Sequence, residues 1–220
     1  MLISNKKKFI FIHIPKCAGQ SVTSILLKYC ISTKERFVTK IIGARNYIRI
    51  NTKLQQYFNF SLYGHNFSDH ARAYAVKDAL GDSYDDYFKF AFVRNPWDWL
   101  FSNYTYALKN IRHYRHTFIK NNFKDFNEFV EWECLENNNK KYQKEFIYDS
   151  SGNLIVDFVG KFENLKTDFD IICNKLNLEN QLPHFNQSSK KSYKEYYSQR
   201  TKALVEEHYR EDIKLLDYKF

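Results

Sequence analysis

The chain has 220 residues, 44% hydrophobic and 27% charged, an ordinary globular mix that excludes disordered, collagen-like and low-complexity classes. At about 100–200 residues per domain, it reads as one domain over 1–220, large enough to bury a core without staples. Lys and Arg number 34 against 25 Asp and Glu, and the resulting +9 points to an anionic partner: nucleotide, nucleic acid, acidic glycan or membrane surface.

The N-terminus imitates a secretory signal, with Lys6-Lys7-Lys8 before a short apolar run. That run holds His13 and Pro15, and Lys16 follows at once, so the signal reading fails. No stretch reaches the roughly 20 apolar residues of a membrane span. Cys17, Cys30, Cys134 and Cys173 have no C-x-x-C spacing and read as reduced thiols, hence a cytoplasmic protein.

Phe9–Ile14 is apolar nearly throughout, as in a strand buried on both faces of a parallel sheet, and Pro15 stops it. From Ser21 or Val22 the spacing of Ile25, Leu26 and Tyr29 predicts a helix. Residues 57–66 form a second strand candidate ending at Tyr63-Gly64-His65. Ser68 is placed as the cap of a helix carrying Ala71, Tyr74, Ala75 and Ala79, with His70 on it and Gly81 past its end. Tyr87–Val93 is a third buried strand. Asn95 as N-cap, Pro96 at the first position and Asp98 in the first turn then start a helix bearing Leu100, Phe101, Tyr104 and Leu108.

Residues 109–124 are basic and aromatic without clear period, and read as an exposed excursion. A helix follows around Phe126–Leu135, then a hairpin over Ile147–Ile155 and a fourth strand over Val156–Phe162. Glu163 opens a helix with Leu165, Phe169, Ile172 and Leu176. Pro183–Ser192 reads as loop, and a last helix runs from about Gln199 to Leu215. Alternating strands and helices predict an α/β fold with a central, mostly parallel sheet flanked by helices. Ligands of such sheets sit at the carboxyl ends of strands, which nominates Pro15–Ser21, Gly64-His65 and Arg94–Pro96.

Pro15–Ser21 joins strand to helix through small residues, so backbone N–H groups, the helix N-terminus and the Lys16 charge converge as in a phosphate cradle. It is not a Walker A loop, because Lys16 precedes Gly19; an ordinary strand–helix turn is the other reading. Arg94 and Ser102, eight residues apart, are candidates for a second anionic group; the alternative is an Arg94–Asp98 pair with Ser102 on the helix surface. His65 is the general-base candidate, since imidazole titrates near 6.5. No Cys/His set has zinc spacing.

These segments resemble the sulfotransferases. FIFIHIPKCAGQS resembles that family's 5′-phosphosulfate-binding loop, and FKFAFVRNPWDWLFSNY its 3′-phosphate-binding strand and helix. YGH resembles the catalytic-histidine segment of the heparan sulfate 2-O-sulfotransferase-like group. VDFVGKFENLKTDF, LPHFNQSSKKSYKEYY and the ending DIKLLDYKF fit bacterial members. The likeness implies a P-loop-NTPase-like sulfotransferase fold. It implies an enzyme that moves a sulfuryl group from 3′-phosphoadenosine-5′-phosphosulfate (PAPS) to a carbohydrate hydroxyl, on a polysaccharide or glycolipid, releasing 3′,5′-ADP (PAP). Lys16 would meet the 5′-phosphate and bridging oxygen. Cys17, Ala18, Gly19, Gln20 and Ser21 would complete the cradle, Arg94 and Ser102 would hold the 3′-phosphate, and His65 would take the acceptor proton. Ser188, Lys190, Lys191 and Tyr193 lie in a segment resembling a loop that closes over the nucleotide. No metal and no nucleic acid is implied. Tyr63 stands where some 2-O-sulfotransferases carry a further histidine, and Gln20 where Thr or Gly is commoner. An atypical P-loop kinase and a non-catalytic basic binding module are the competing readings.

Overall fold

The computed structural model describes residues 1–43, 46–47, 49–51, 53–54, 67–139, 141–179 and 192–220. The strand proposed over 57–66 and the loop over 183–191 lie outside these. The chain divides into two compact units, Met1–Val93 with Glu145–Phe185, and Arg94–Lys144 with Asn186–Phe220.

The first unit holds a four-stranded sheet in the order β1-β2-β3-β4: Leu2–Ser4, Phe9–Ile12, Phe88–Val93 and Phe158–Lys161. The last three are parallel, with Ile12 opposite Ala91 and Val93 opposite Lys161, so their carboxyl ends share one edge. β1, which the sequence reading missed, adds antiparallel, Leu2 opposite Phe11. β2 is buried along its whole length, as its unbroken apolar run requires. Phe90 stacks on Phe11 at 5.3 Å, and Gly160 leaves the room that Phe92 fills, since a Cβ there would lie 2.5 Å from the Phe92 ring. Lys89, on β3, is 7% exposed and is matched by Asp157 at 3.1 Å.

Around the sheet run α1 (Gly19–Cys30), α2 (Thr33–Ile42), α3 (Ala73–Leu80) and, after β4, α7 (Leu165–Leu176). α1 is tied to β1 by Ser4 Oγ donating to Tyr29 O at 2.7 Å. α3 corrects the expected Ser68 cap: the helix starts at Ala73 with Arg72 as N-cap, and His70 sits in a turn. Gly81 does end it, at φ 55°. The hairpin expected over Ile147–Ile155 reduces to a Tyr148–Leu154 bridge, its turn held by Asp149 accepting from Ser151 N and Asn153 N.

The second unit is helical: α4 (Pro96–Lys109), α5 (His116–Asn122), α6 (Phe126–Leu135), α8 (Gln199–His208) and α9 (Arg210–Leu215). α5 lies inside the stretch read as irregular, and its Ile119 is buried. The final helix is broken at Tyr209, whose buried ring meets Trp99 edge-on at 6.1 Å. Trp97, Phe129, Val130 and Val205 fill this unit's core, so the tryptophans near Arg94 are packing residues.

Candidate active site

In the first unit, β2 ends at Ile12 and α1 begins at Gly19. Between them Lys16 has φ 63° and Ala18 φ 60°, with Cys17 in the ordinary half of φ space. Two side-chain-bearing residues in the left-handed region cost on the order of 1–2 kcal/mol each. Alternation of left- and right-handed residues turns successive N–H groups toward one point, forming an anion-binding concavity. Ala18 is also the N-cap of α1 and offers no side-chain cap. A Ser or Asp there would satisfy an N–H itself; Ala leaves the first turn to an outside acceptor.

Two of the cradle's expected donors have partners within the chain. Cys17 N–H points back to Ile14 O at 3.4 Å, and Ser21 N–H bonds Ala18 O at 2.9 Å. The N–H groups at the cap and first turn of α1 are those of Ala18, Gly19 and Gln20. Cys17 is 1% exposed and its thiol turns inward to Pro15 O, so it is a wedge under the loop. Lys16 and Ser21 are half-buried and Gln20 is exposed.

Gly19 has a reason beyond backbone freedom. A Cβ on it would lie 1.7 Å from His13 Cδ2 and 1.8 Å from Nε2. His13 therefore props the underside of the turn, stacking on Phe11 at 5.9 Å and meeting His70 edge-on at 4.5 Å. His70 Nδ1 is 2.8 Å from His13 O. Desolvation first, and then neighbouring positive groups including His70, hold the His13 imidazole well below the usual histidine value. It is a neutral packing group. Burial also pushes the Cys30 thiol to about 12 and Cys173 to about 11; none of the four cysteines is in a disulfide.

Arg94 is the residue after β3 and begins the second unit. Asn95 caps α4 as expected, its Oδ1 accepting from Trp97 N at 3.1 Å, with Pro96 next. Arg94 Nε donates to Asp98 Oδ2 at 2.7 Å, the two side chains being 11% and 17% exposed. This pair uses one of a guanidinium's five N–H donors and fixes the plane of the rest. The Arg94 backbone is gripped as well: Gln143 Oε1 accepts from its N–H at 2.8 Å and Nε2 donates to its C=O at 2.7 Å. Gln143 is fully buried and its own N–H bonds Asp212 Oδ2 at 2.7 Å, while Asp212 Oδ1 takes Lys144 N–H at 2.9 Å. Gln143 and Asp212 are positioning residues that sequence reasoning missed. Ser102 is half-buried on α4, two turns on from Arg94.

Tyr193 opens a short 3-10 turn, Tyr193–Tyr196, and its ring meets Phe220 edge-on at 5.9 Å. Ser192 and Glu195 make a reciprocal capping box at that turn. Ser188, Lys190 and Lys191 lie outside the described residues, as does His65. Among the described residues, no group of His, Cys, Asp and Glu is arranged to hold a metal, and no helix is long and apolar enough to cross a membrane.

Each arrangement by itself suits an anionic group: a backbone turn beside Lys16 at a helix N-terminus, and Arg94 with its guanidinium oriented by Asp98. A family model described as the sulfotransferase family matches residues 1–219. A protein of Archaeoglobus fulgidus, described as uncharacterized, is 30% identical over 122 residues, which is 50% of this chain and 85% of that relative.

Proposed function

Because the chain belongs to the sulfotransferase family and is a sulfotransferase, we propose that its donor is PAPS and its acceptor a carbohydrate hydroxyl. The observation that carries the donor assignment is the Pro15–Ser21 turn, where Lys16 and Ala18 hold costly left-handed backbone at the mouth of an uncapped helix. Sulfotransferases generally use PAPS, whose 5′-phosphosulfate and 3′-phosphate are two separate anions. The resemblance assigns the first to Lys16 with the Ala18–Gln20 N–H groups and the Ser21 hydroxyl, and the second to Arg94 and Ser102.

The reaction is an in-line displacement. The acceptor oxygen forms its bond to sulfur as the bond from sulfur to the bridging oxygen breaks, and PAP leaves. His65 takes the acceptor proton. Lys16 offsets the charge that grows on the departing phosphate oxygen, and the helix N-terminus adds to it. Positioning supplies most of the remainder, as in phosphoryl transfer. The carbohydrate acceptor, polysaccharide or glycolipid, follows from the 2-O-sulfotransferase-like segment around His65.

Replacing the proposed base is the direct test. His65→Ala is expected to lower turnover about 10²–10⁴-fold with PAP affinity nearly unchanged. Near-normal turnover on a true acceptor would remove His65 from the mechanism. Arg94→Ala is expected to weaken nucleotides bearing a 3′-phosphate and to spare those without one; equal loss for both would sink its assignment.

A further inference from the structure

On α2, Phe37 and Ile41 lie one turn apart on the same face and are 66% and 68% exposed, and Val38 beside them is 43% exposed. Helical backbone resumes at residues 46–47 and 49–51, where Tyr47 and Asn51 turn inward and Ile50 is 43% exposed. A single exposed Ile or Phe needs no explanation; a one-turn pair with a third beside it is a surface with a use. The sequence around it is the second observation. Residues 33–54 hold six Lys and Arg against Glu35 alone, more than half of the net charge of the whole chain.

We propose that Phe37, Val38 and Ile41 of α2, set in this basic stretch of sequence, form a docking surface for an anionic lipid membrane. Large apolar side chains in a dense basic stretch match what a peripheral membrane helix needs: apolar groups that enter the acyl boundary and cations that meet the headgroups. The alternatives fit less well. A twofold contact with a second copy would set like-charged segments against each other. An acidic polysaccharide offers partners to the cations but none to Ile41 or Val38. Single-stranded nucleic acid stacks on aromatic rings, and Phe37 is the one exposed ring described in the segment. The inference does not depend on the donor or on the identity of the acceptor.

Co-sedimentation of the whole chain with vesicles tests it. The protein is expected to pellet with vesicles containing phosphatidylglycerol, to stay in solution with pure phosphatidylcholine, and to dissociate as salt rises. The double change Phe37→Ser with Ile41→Ser is expected to weaken binding at least about tenfold. These are solvent-facing positions, so the melting temperature should hold. A second variant, Arg49→Glu with Lys53→Glu, changes charge alone and is expected to abolish the preference for the anionic vesicle. Wild-type protein left in solution with anionic vesicles would overturn the proposal. So would a Phe37/Ile41 variant that binds as well as wild type, which would mean diffuse charge attraction. Binding of DNA or heparin that the Phe37/Ile41 change weakens, without any vesicle binding, would assign the surface to a polyanion and overturn it too.

Discussion

The segments that follow β2 and β3 are prepared in opposite ways for the anions proposed to meet them. After β2, the preparation is in the backbone: Lys16 and Ala18 at positive φ, a helix without a cap, and Gly19 laid against an imidazole. After β3, it is in side chains: Arg94 oriented by Asp98 through Nε, and gripped at both backbone atoms by Gln143, which rests on Asp212. A backbone cradle is sensitive to Cβ atoms and φ, and tolerant of side-chain identity. A braced arginine is the reverse. The proposed cradle would use only the N–H of Gln20, which any residue but proline supplies, and this is compatible with Gln20 standing where Thr or Gly is commoner.

The largest effect should come from the buried end of the arginine brace. Asp212→Ala leaves the buried N–H of Gln143 and the part-buried N–H of Lys144 without their acceptor. At about 1–3 kcal/mol per orphaned group, denaturant unfolding should show a loss on the order of 2–5 kcal/mol. Asp212→Asn, which keeps one acceptor oxygen, should lose less. A variant as stable as wild type would mean that Arg94 is not braced from below.

Gly19→Ala should come next, and its sign is the informative part. In an ordinary helix this change stabilises by about 1 kcal/mol. Here the new Cβ meets His13 at 1.7 Å, so a loss of about 1–3 kcal/mol is expected. A gain in melting temperature would show that the imidazole yields easily and does not support the turn.

The smallest effect is the response to acid. His13 is held neutral in the fold, well below its unfolded value near 6.5. Below that pH the unfolded chain binds a proton that the folded chain does not, so stability falls as pH drops through 6.5 and the contribution vanishes above it. The melting temperature should decline from pH 7.5 to pH 5.5, and His13→Asn, whatever its overall cost, should flatten that slope. Parallel slopes for the two proteins would place the titration elsewhere.

Sequence pattern was a good guide wherever burial is two-faced or periodic. The unbroken apolar β2, the largely apolar β3 and the Asn95-Pro96 helix start all stand as read. Elements with other logic were illegible. β1 is three residues long and precedes a lysine run, so it has no period to detect. α5 buries Ile119 among basic and aromatic residues that mask its spacing. At the candidate site, residue types nominated Lys16, Gly19 and Arg94, but gave no sign of the two left-handed residues or of the inward-turned N–H groups of Cys17 and Ser21. Gln143 and Asp212 gave no signal because a lone polar residue reads as surface; their burial is a property of the packed helices around them. The Arg94–Asp98 pair was foreseen only as an alternative to anion binding, whereas the geometry lets it orient the same guanidinium.

The most direct test of the central claim, a donor with two anions, is a thermal-shift comparison of PAP, ATP and AMP without magnesium. A ligand at 100 times its Kd adds about 2.7 kcal/mol, which in a chain of this size is on the order of 5–11 °C. The account predicts a shift of that order with PAP and much smaller shifts with ATP and AMP, which lack the 3′-phosphate. No shift with PAP, or an equal shift with ATP, would contradict it.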